Sequence, residues 1–181
     1  MTSLLTVHAQ HWDFAGIDGL QVAQNLFGDA IGRLAPFQSA EISLTQGHCS
    51  VLRLCEGNFR VGWQGEPEIF QQQMAQAHSG RRVWVKQLPW LSVLFLAESA
   101  GLLCLPQIAI PKPPYRLQAM PLNCAIPARI DGMSVLVWHH PINAQPVFEL
   151  HMAVQHLQPI RAVLLTTEMG TPSKLAGAIQ D

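Results

Sequence analysis

The spacing of apolar positions along the chain predicts its elements. LLTVHA (4–9) is a short strand of the buried type. After it Ile17, Leu20, Ala23, Phe27, Ala30, Ile31 and Leu34 recur at helical spacing. Asp13 or Asp18 can cap that helix, and Pro36 lies beyond its end. AEISLTQ (40–46) alternates, with Ile42 and Leu44 on one face, and reads as a strand. HCSVLRLCEG (48–57) reads as a short helix closed by Gly57. NFRVGW (58–63) alternates through Phe59, Val61 and Trp63. Strand, helix, strand, helix, strand predicts a parallel sheet with crossover helices.

The second half is more apolar. GEP (65–67) is a turn and a candidate hinge, EIFQQQMAQAHSG (68–80) a polar helix, and RRVWVKQL (81–88) a strand. Pro89 opens an apolar helix over 90–100, and GLLCLP (101–106) returns as a buried strand. PKPP (111–114) is a stiff, extended connection. RLQAMPL (116–122) and GMSVLVWHH (132–140) are further strands. Beyond Asn143 the stripe Val147, Leu150, Val154, Leu157 predicts a helix, with Pro146 in its first turn and Pro159 at its stop. IRAVLLTT (160–167) suits one more strand, and the last ten residues read as frayed.

Composition narrows the class. Of 181 residues 49% are apolar and 13% charged, which is a chain that buries a core and is not disordered. A net charge of −1, with scattered Lys and Arg, gives no electrostatic case for direct nucleic-acid binding. Cys49, Cys55, Cys104 and Cys124 form no C-x-x-C pair and read as reduced thiols. The start of the chain lacks the pattern of a secretory signal. The most apolar window, 90–105, is short and interrupted by Glu98, so no membrane span is expected. Both features point to the cytoplasm.

Candidate chemistry is sparse. Along a strand His139 and His140 point to opposite faces and cannot share one metal. His151 and His156, on the expected helix, are five apart and lack the i, i+4 geometry. No metal, cofactor or catalytic residue is therefore assigned. His8, His11, Trp12 and Asp13 follow the first strand, TQGH (45–48) the second and WQGEP (63–67) the third. In a parallel sheet such strand ends form a small-molecule cleft. There is no G-x-S-x-G elbow and no phosphate loop.

Several stretches in order resemble the effector-binding domain of LysR-type transcriptional regulators: RLAPFQSAEISL, VLRLCEGNFRVGW, GRRVWVKQLPWLSVLFLAESAGLLCLP and LQAMPLNCAIPARIDGMSVLVWHHPINAQPVFELHMAVQHL. The resemblance covers residues 4–157 and makes WHHPINAQP a structural junction. It implies an α/β, periplasmic-binding-protein-like fold of two Rossmann-like lobes. Lobe one would take residues 1–66 and 107–181, and a reduced lobe two 67–106. The family's DNA-binding helix-turn-helix would precede residue 1. Arg60 stands where the family usually has Asp.

The expected function is that of a non-enzymatic, regulatory domain binding a small effector, a carboxylate or aromatic acid, between the lobes. The ligand-binding residues would be His11, Trp12, Thr45, Gln46, Gln64, Leu88 and Trp90, taken from strand ends and the hinge. A homodimer is expected, with no membrane partner. The alternative is a dimerising interaction module that no longer senses a ligand. A third reading, an α/β enzyme using His11 or His48 as acid/base, lacks an accompanying nucleophile or metal set.

Overall fold

The computed structural model describes residues 4–5 and 9–170. Strand β1 (Leu4–Leu5) and β2 (Gln10–Gly16) lead into helix α1 (Gly19–Phe27). A short 3-10 turn, Asp29–Arg33, precedes β3 (Ser39–Leu44), β4 (Gly47–Cys55) and β5 (Asn58–Gly65). Helix α2 (Pro67–His78) and β6 (Val83–Gln87) follow. Then come β7 (Leu91–Ala97), α3 (Glu98–Ile108) and β8 (Ala109–Pro111). The chain closes with β9 (Cys124–Ile130), β10 (Met133–Ile142), β11 (Gln145–Ala153) and α4 (Leu157–Gly170).

The strands form two sheets, β3-β4-β5-β2-β6 and β1-β7-β11-β10-β9-β8. The mixed α/β class holds. The parallel sheet with crossover helices does not, because every named strand pairing is antiparallel. Tight hairpins explain this. Thr45–Gln46 joins β3 to β4, Asp131–Gly132 joins β9 to β10, and Asn143–Ala144 joins β10 to β11. The last two turns have positive φ at both central residues (48° and 77°; 50° and 62°), as two-residue hairpins between twisted strands require. Apart from β1, the strands divide between the sheets after Gln87, whereas the expected lobe boundaries fall before α2 and inside α3.

Several expected elements change type. HCSVLRLC is strand β4, not a helix, and 91–97 is strand β7. GLLCLP lies within α3, with Pro106 inside the helix. RLQAMPL is irregular. The segment after Asn143 is β11, and IRAVLLTT is part of α4. Pro141 and Pro146 face each other across the β10–β11 hairpin, beyond the reach of β9 and β7. Their missing N–H groups therefore remove no ladder bond. Of the expected first strand, Thr6 to His8 lie outside the described residues, as does the tail from 171.

Each sheet packs one face on helices. On the first sheet Phe14, Val51, Phe59, Val61 and Trp63 meet Val22 and Phe27 of α1 and Phe70 and Met74 of α2, with Trp63 stacked on Phe70 at 4.9 Å. On the second sheet Leu96, Ile126, Val137, Phe148, Leu150 and Met152 meet α3 and α4 through Leu105, Ile160 and Leu164. Each such fully buried side chain contributes about 1.5–3 kcal/mol. Helix α3 approaches so closely that a Cβ at Gly101 would lie 2.1 Å from Phe148 Cδ2. Strand alternation turns the remaining faces toward each other. The layers therefore run helices, sheet, sheet, helices. Between the sheets lie Leu52, Ala125 and Trp138, a second cluster of Phe95, Ile142 and Val147, and the polar residues that make up the site.

Candidate functional site

Period-two alternation builds the site. His11 and Asp13 on β2, His48 and Ser50 on β4, Arg60 on β5, His140 on β10, and Glu149 and His151 on β11 all project from the facing surfaces of the sheets. Their apolar neighbours in sequence project toward the helices. Glu149, 2% exposed, is the hub. Its Oε1 accepts from Nε2 of His11 (2.6 Å) and Nε2 of His151 (2.5 Å), and its Oε2 from Nε2 of His140 (2.8 Å).

The chain of contacts continues in both directions. Nδ1 of His140 lies 3.1 Å from Glu41 Oε1, and Glu41 Oε2 meets His48 Nε2 at 2.9 Å and accepts from Ser50 Oγ at 2.6 Å. On the other side Arg60 donates Nη1–H to His151 Nδ1 at 3.0 Å. Its Nε and Nη2 hold both oxygens of Asp13 at 2.7 and 2.8 Å, a bidentate fork. Trp138 stacks on His140 with ring centroids 4.0 Å apart and donates its indole N–H to Ser39 Oγ at 2.9 Å.

Partners fix the protonation states. Burial alone would lower the pKa of His140, but its hydrogen bonds to Glu149 and Glu41 and their charges raise it to about 9. It is an imidazolium at neutral pH with both N–H groups on carboxylates. Burial lowers the pKa of His151 to about 4; the attraction of Glu149 opposes this, and the charges of His11 and Arg60 add to it. The geometry agrees: an arginine only donates, so His151 Nδ1 is the acceptor and Nε2 carries the single proton. Burial pushes the Glu149 carboxyl up, but the imidazoles of His151, His11 and His140 outweigh it and hold the group well below the ordinary range.

His11, Glu149 and His151 are the described side chains close enough together to hold a metal ion. The Arg60 contact argues against that use. Metal on His151 Nε2 would move the ring proton to Nδ1, directly against the Arg60 donor. The 2.5 and 2.6 Å contacts to Glu149 Oε1 are spacings spanned by one proton each. The network sets its histidines between two carboxylates, Glu149 and Glu41. It presents no nucleophile: Ser50 is spent on Glu41, and Cys49 lies on the opposite face with its thiol pushed up to about 12, mainly by burial.

The residues expected to bind a ligand do not converge. His11 joins the network. Trp12, its neighbour, faces the opposite core and packs edge-on against Phe70. Thr45 lines a cavity of about 400 Å³ with Asn25, Gln73 and Gln76, on the α2 side of the first sheet. Gln46 sits in the β3–β4 turn, and Gln64 pairs with His48 across β4 and β5. Leu88 is buried, its N–H donating to the carbonyl of His11. Trp90 lines a larger cavity of about 710 Å³, together with Arg60 and His151. His139 points away from His140, stacks on Phe148 at 4.3 Å and reaches Glu98. Both residues of the pair are thus built into the fold, on opposite faces. Glu41, Arg60, His140, Glu149 and His151 were not expected as site residues. The available signal was a polar residue at every second position in otherwise apolar strands, as in HWD and ELH.

No protein-family model matches the chain, and no curated protein matches it. Among solved structures it is similar to the glycine cleavage system aminomethyltransferase T from Bartonella henselae. That match has a TM-score of 0.69 at 14% identity and covers 87% of this chain and 43% of the other. The chain thus spans less than half the length of that enzyme. It is also similar to a chain of the heterotetrameric sarcosine oxidase from Corynebacterium sp. U-96, a structure in complex with pyrrole 2-carboxylate. Here the TM-score is 0.65 at 16% identity, covering 91% of this chain and 81% of the other. At such identities the likeness is one of fold: two antiparallel sheets face to face, with helices on their outer sides.

Proposed function

We propose that this chain is a non-catalytic subunit of a heteromeric enzyme of the sarcosine oxidase type. The observation that carries the reading is the extent of one structural match. It takes in 91% of this chain and 81% of a chain that works inside a heterotetramer. The correspondence takes in most of both chains.

Two features support it. The titratable cluster between the sheets is bonded to itself in a buried seam, which suits a structural role. Large apolar side chains are exposed at separate places: Trp84 on the edge strand β6, Ile110 on the edge strand β8, and Leu102 and Leu103 on α3. Partner chains would cover such positions.

The test is to purify the chain with its co-expressed neighbours under native conditions and to measure mass, stoichiometry and sarcosine-dependent oxygen uptake. A stoichiometric complex with that activity, lost when this chain is omitted, is the expected result. A lone monomer, together with oxidation unaffected by its omission, would overturn the reading.

The effector-binding regulator expected from the sequence is a second reading, favoured by the larger cavity alone. A two-lobed periplasmic-binding-protein-like body needs parallel strands and crossovers, which the described pairings lack. No helix among the described residues is long and apolar enough to cross a membrane.

A further inference from the structure

The first sheet does not cover the whole inner face of the second. Beyond Arg60 a strip remains open, and it forms the cavity of about 710 Å³. On β9 and β10, Pro127, Arg129, Ser134 and Leu136 share the face that carries Trp138 and His140 elsewhere. The strip is the outward continuation of the sheet interface.

Its chemistry is lopsided. Three cations line it, Arg60, Lys112 and Arg129, and no Asp or Glu does. Asp13 answers the charge of Arg60, but no acidic group among the described residues lies within ion-pair distance of Lys112 or Arg129. Apart from Ser134, His151 and His156 the rest of the wall is apolar, including Leu136, and Trp90 stands at it 48% exposed. His156 lines the same space, and its buried Nδ1 has no partner. Such an atom is costly unless something satisfies it. A concave, mostly apolar site of several hundred Å³ with a few converging polar groups suits a small molecule.

We propose that this cavity binds a small aromatic carboxylate. Arg129 and Lys112 take the carboxylate, and Trp90 and Leu136 sandwich the ring. Arg60 closes the inner end and ties the site to the buried network. The planar guanidinium matches a carboxylate, and the indole face suits an aromatic body. The proposal does not rest on the subunit reading, although Ile110, exposed on β8, lies at the wall of the same cavity.

The probe is 2-naphthoate, with 2-naphthamide as its neutral isostere and inorganic phosphate as a bare anion, titrated calorimetrically against the purified chain. Naphthoate should bind at least tenfold more tightly than either control. Arg129→Ala and Lys112→Ala, at exposed positions, should each weaken it about fivefold to tenfold and leave the melting temperature unchanged. Lys86→Ala, on the other sheet, should have no effect. Trp90→Ala should weaken naphthoate and leave phosphate alone. Equal affinity for naphthoate and naphthamide would overturn the proposal. So would phosphate binding as tightly as naphthoate, or affinity unaltered in both Arg129→Ala and Lys112→Ala.

Discussion

Arg60 on the first sheet donates a hydrogen bond to Nδ1 of His151 on the second, 91 residues away in sequence and 3.0 Å away in space. That contact sets the tautomer of His151 and makes its Nε2 a donor to Glu149; burial, helped by the nearby Arg60 charge, lowers the pKa of the ring to about 4. Replacing Arg60 with Met should raise the His151 pKa from about 4, because one of the charges that lowers it is removed. It should also cost about 1–3 kcal/mol by leaving the half-buried Asp13 without its partner. Histidine NMR titration reads the first effect and chemical denaturation the second. A His151 resonance that titrates as in the parent would show that the contact does not control the ring.

Stability should peak near pH 6.5 and fall on both sides. His140 has a folded pKa of about 9 against 6.5 unfolded, so its contribution is complete below 6.5 and is lost as pH rises through 9. His151 has a folded pKa of about 4, so the unfolded chain takes up a proton between 6.5 and 4 that the folded chain refuses, and stability falls with pH there. Glu149, held below its ordinary range, adds to the acid loss below about 4.5. Each histidine contributes on the order of 3 kcal/mol across its window. Denaturation midpoints from pH 4 to 10 check this; a flat profile would contradict it.

Glu149→Gln should destabilise the fold by about 3–5 kcal/mol, since three imidazoles lose their common anion and His140 keeps a charge with only Glu41 to meet it. Urea unfolding followed by tryptophan fluorescence measures it. A loss under about 1 kcal/mol would mean that the hub is not what holds the sheets together.

Ala144→Gly should stabilise the protein by about 1 kcal/mol. Ala144 sits at φ 62° in the β10–β11 turn, a region that costs a residue with a Cβ about 1–2 kcal/mol. The melting temperature should rise by about 2–4 °C. A decrease would show that the Ala144 methyl makes a contact worth more than the strain.

Gly101→Ala should destabilise by about 1–3 kcal/mol, because the new methyl would fall 2.1 Å from the ring of Phe148, which is itself stacked on His139. Thermal unfolding monitors it, and an unchanged midpoint would mean that α3 is free to shift outward.

The parts of the fold legible in sequence are those with one clean stripe: α1, α2, β3, β5, β6 and β10. β4 reads as a helix because Val51 and Leu52, adjacent in sequence, bury on opposite faces, one on helices and one against the other sheet. GHCSVLRLC therefore shows a run in place of alternation, the same signature that a parallel strand leaves, whereas QPVFELHMA alternates through Phe148, Glu149, Leu150 and His151 but also begins the helical stripe Val147, Leu150, Val154, Leu157. A turn carried the missing information: Asp131–Gly132 is a strong hairpin signal, and it rules against a crossover at that point. The site failed for a related reason. Read as a helix, QPVFELHMA puts Glu149 and His151 on different faces, whereas on β11 they share one. Arg60 shows the opposite case: its departure from an expected Asp was visible, but not the acid it pairs with, since Asp13 is 47 residues away and is brought beside it only by the β2–β5 pairing.

The two sheets have unlike histories as the chain leaves the ribosome. β3, β4 and β5 are consecutive hairpins, and so are β9, β10 and β11, so each half contains a meander that closes over short loops and at low entropic cost. The first sheet is complete once Gln87 has emerged, before any strand of its partner beyond Leu4–Leu5 exists. Until β10 and β11 arrive, its inner face must carry His11, Asp13, Glu41 and Arg60 against water, which their charges allow and an apolar face would not. A polar seam between the layers thus lets half a protein wait, soluble, for the other half.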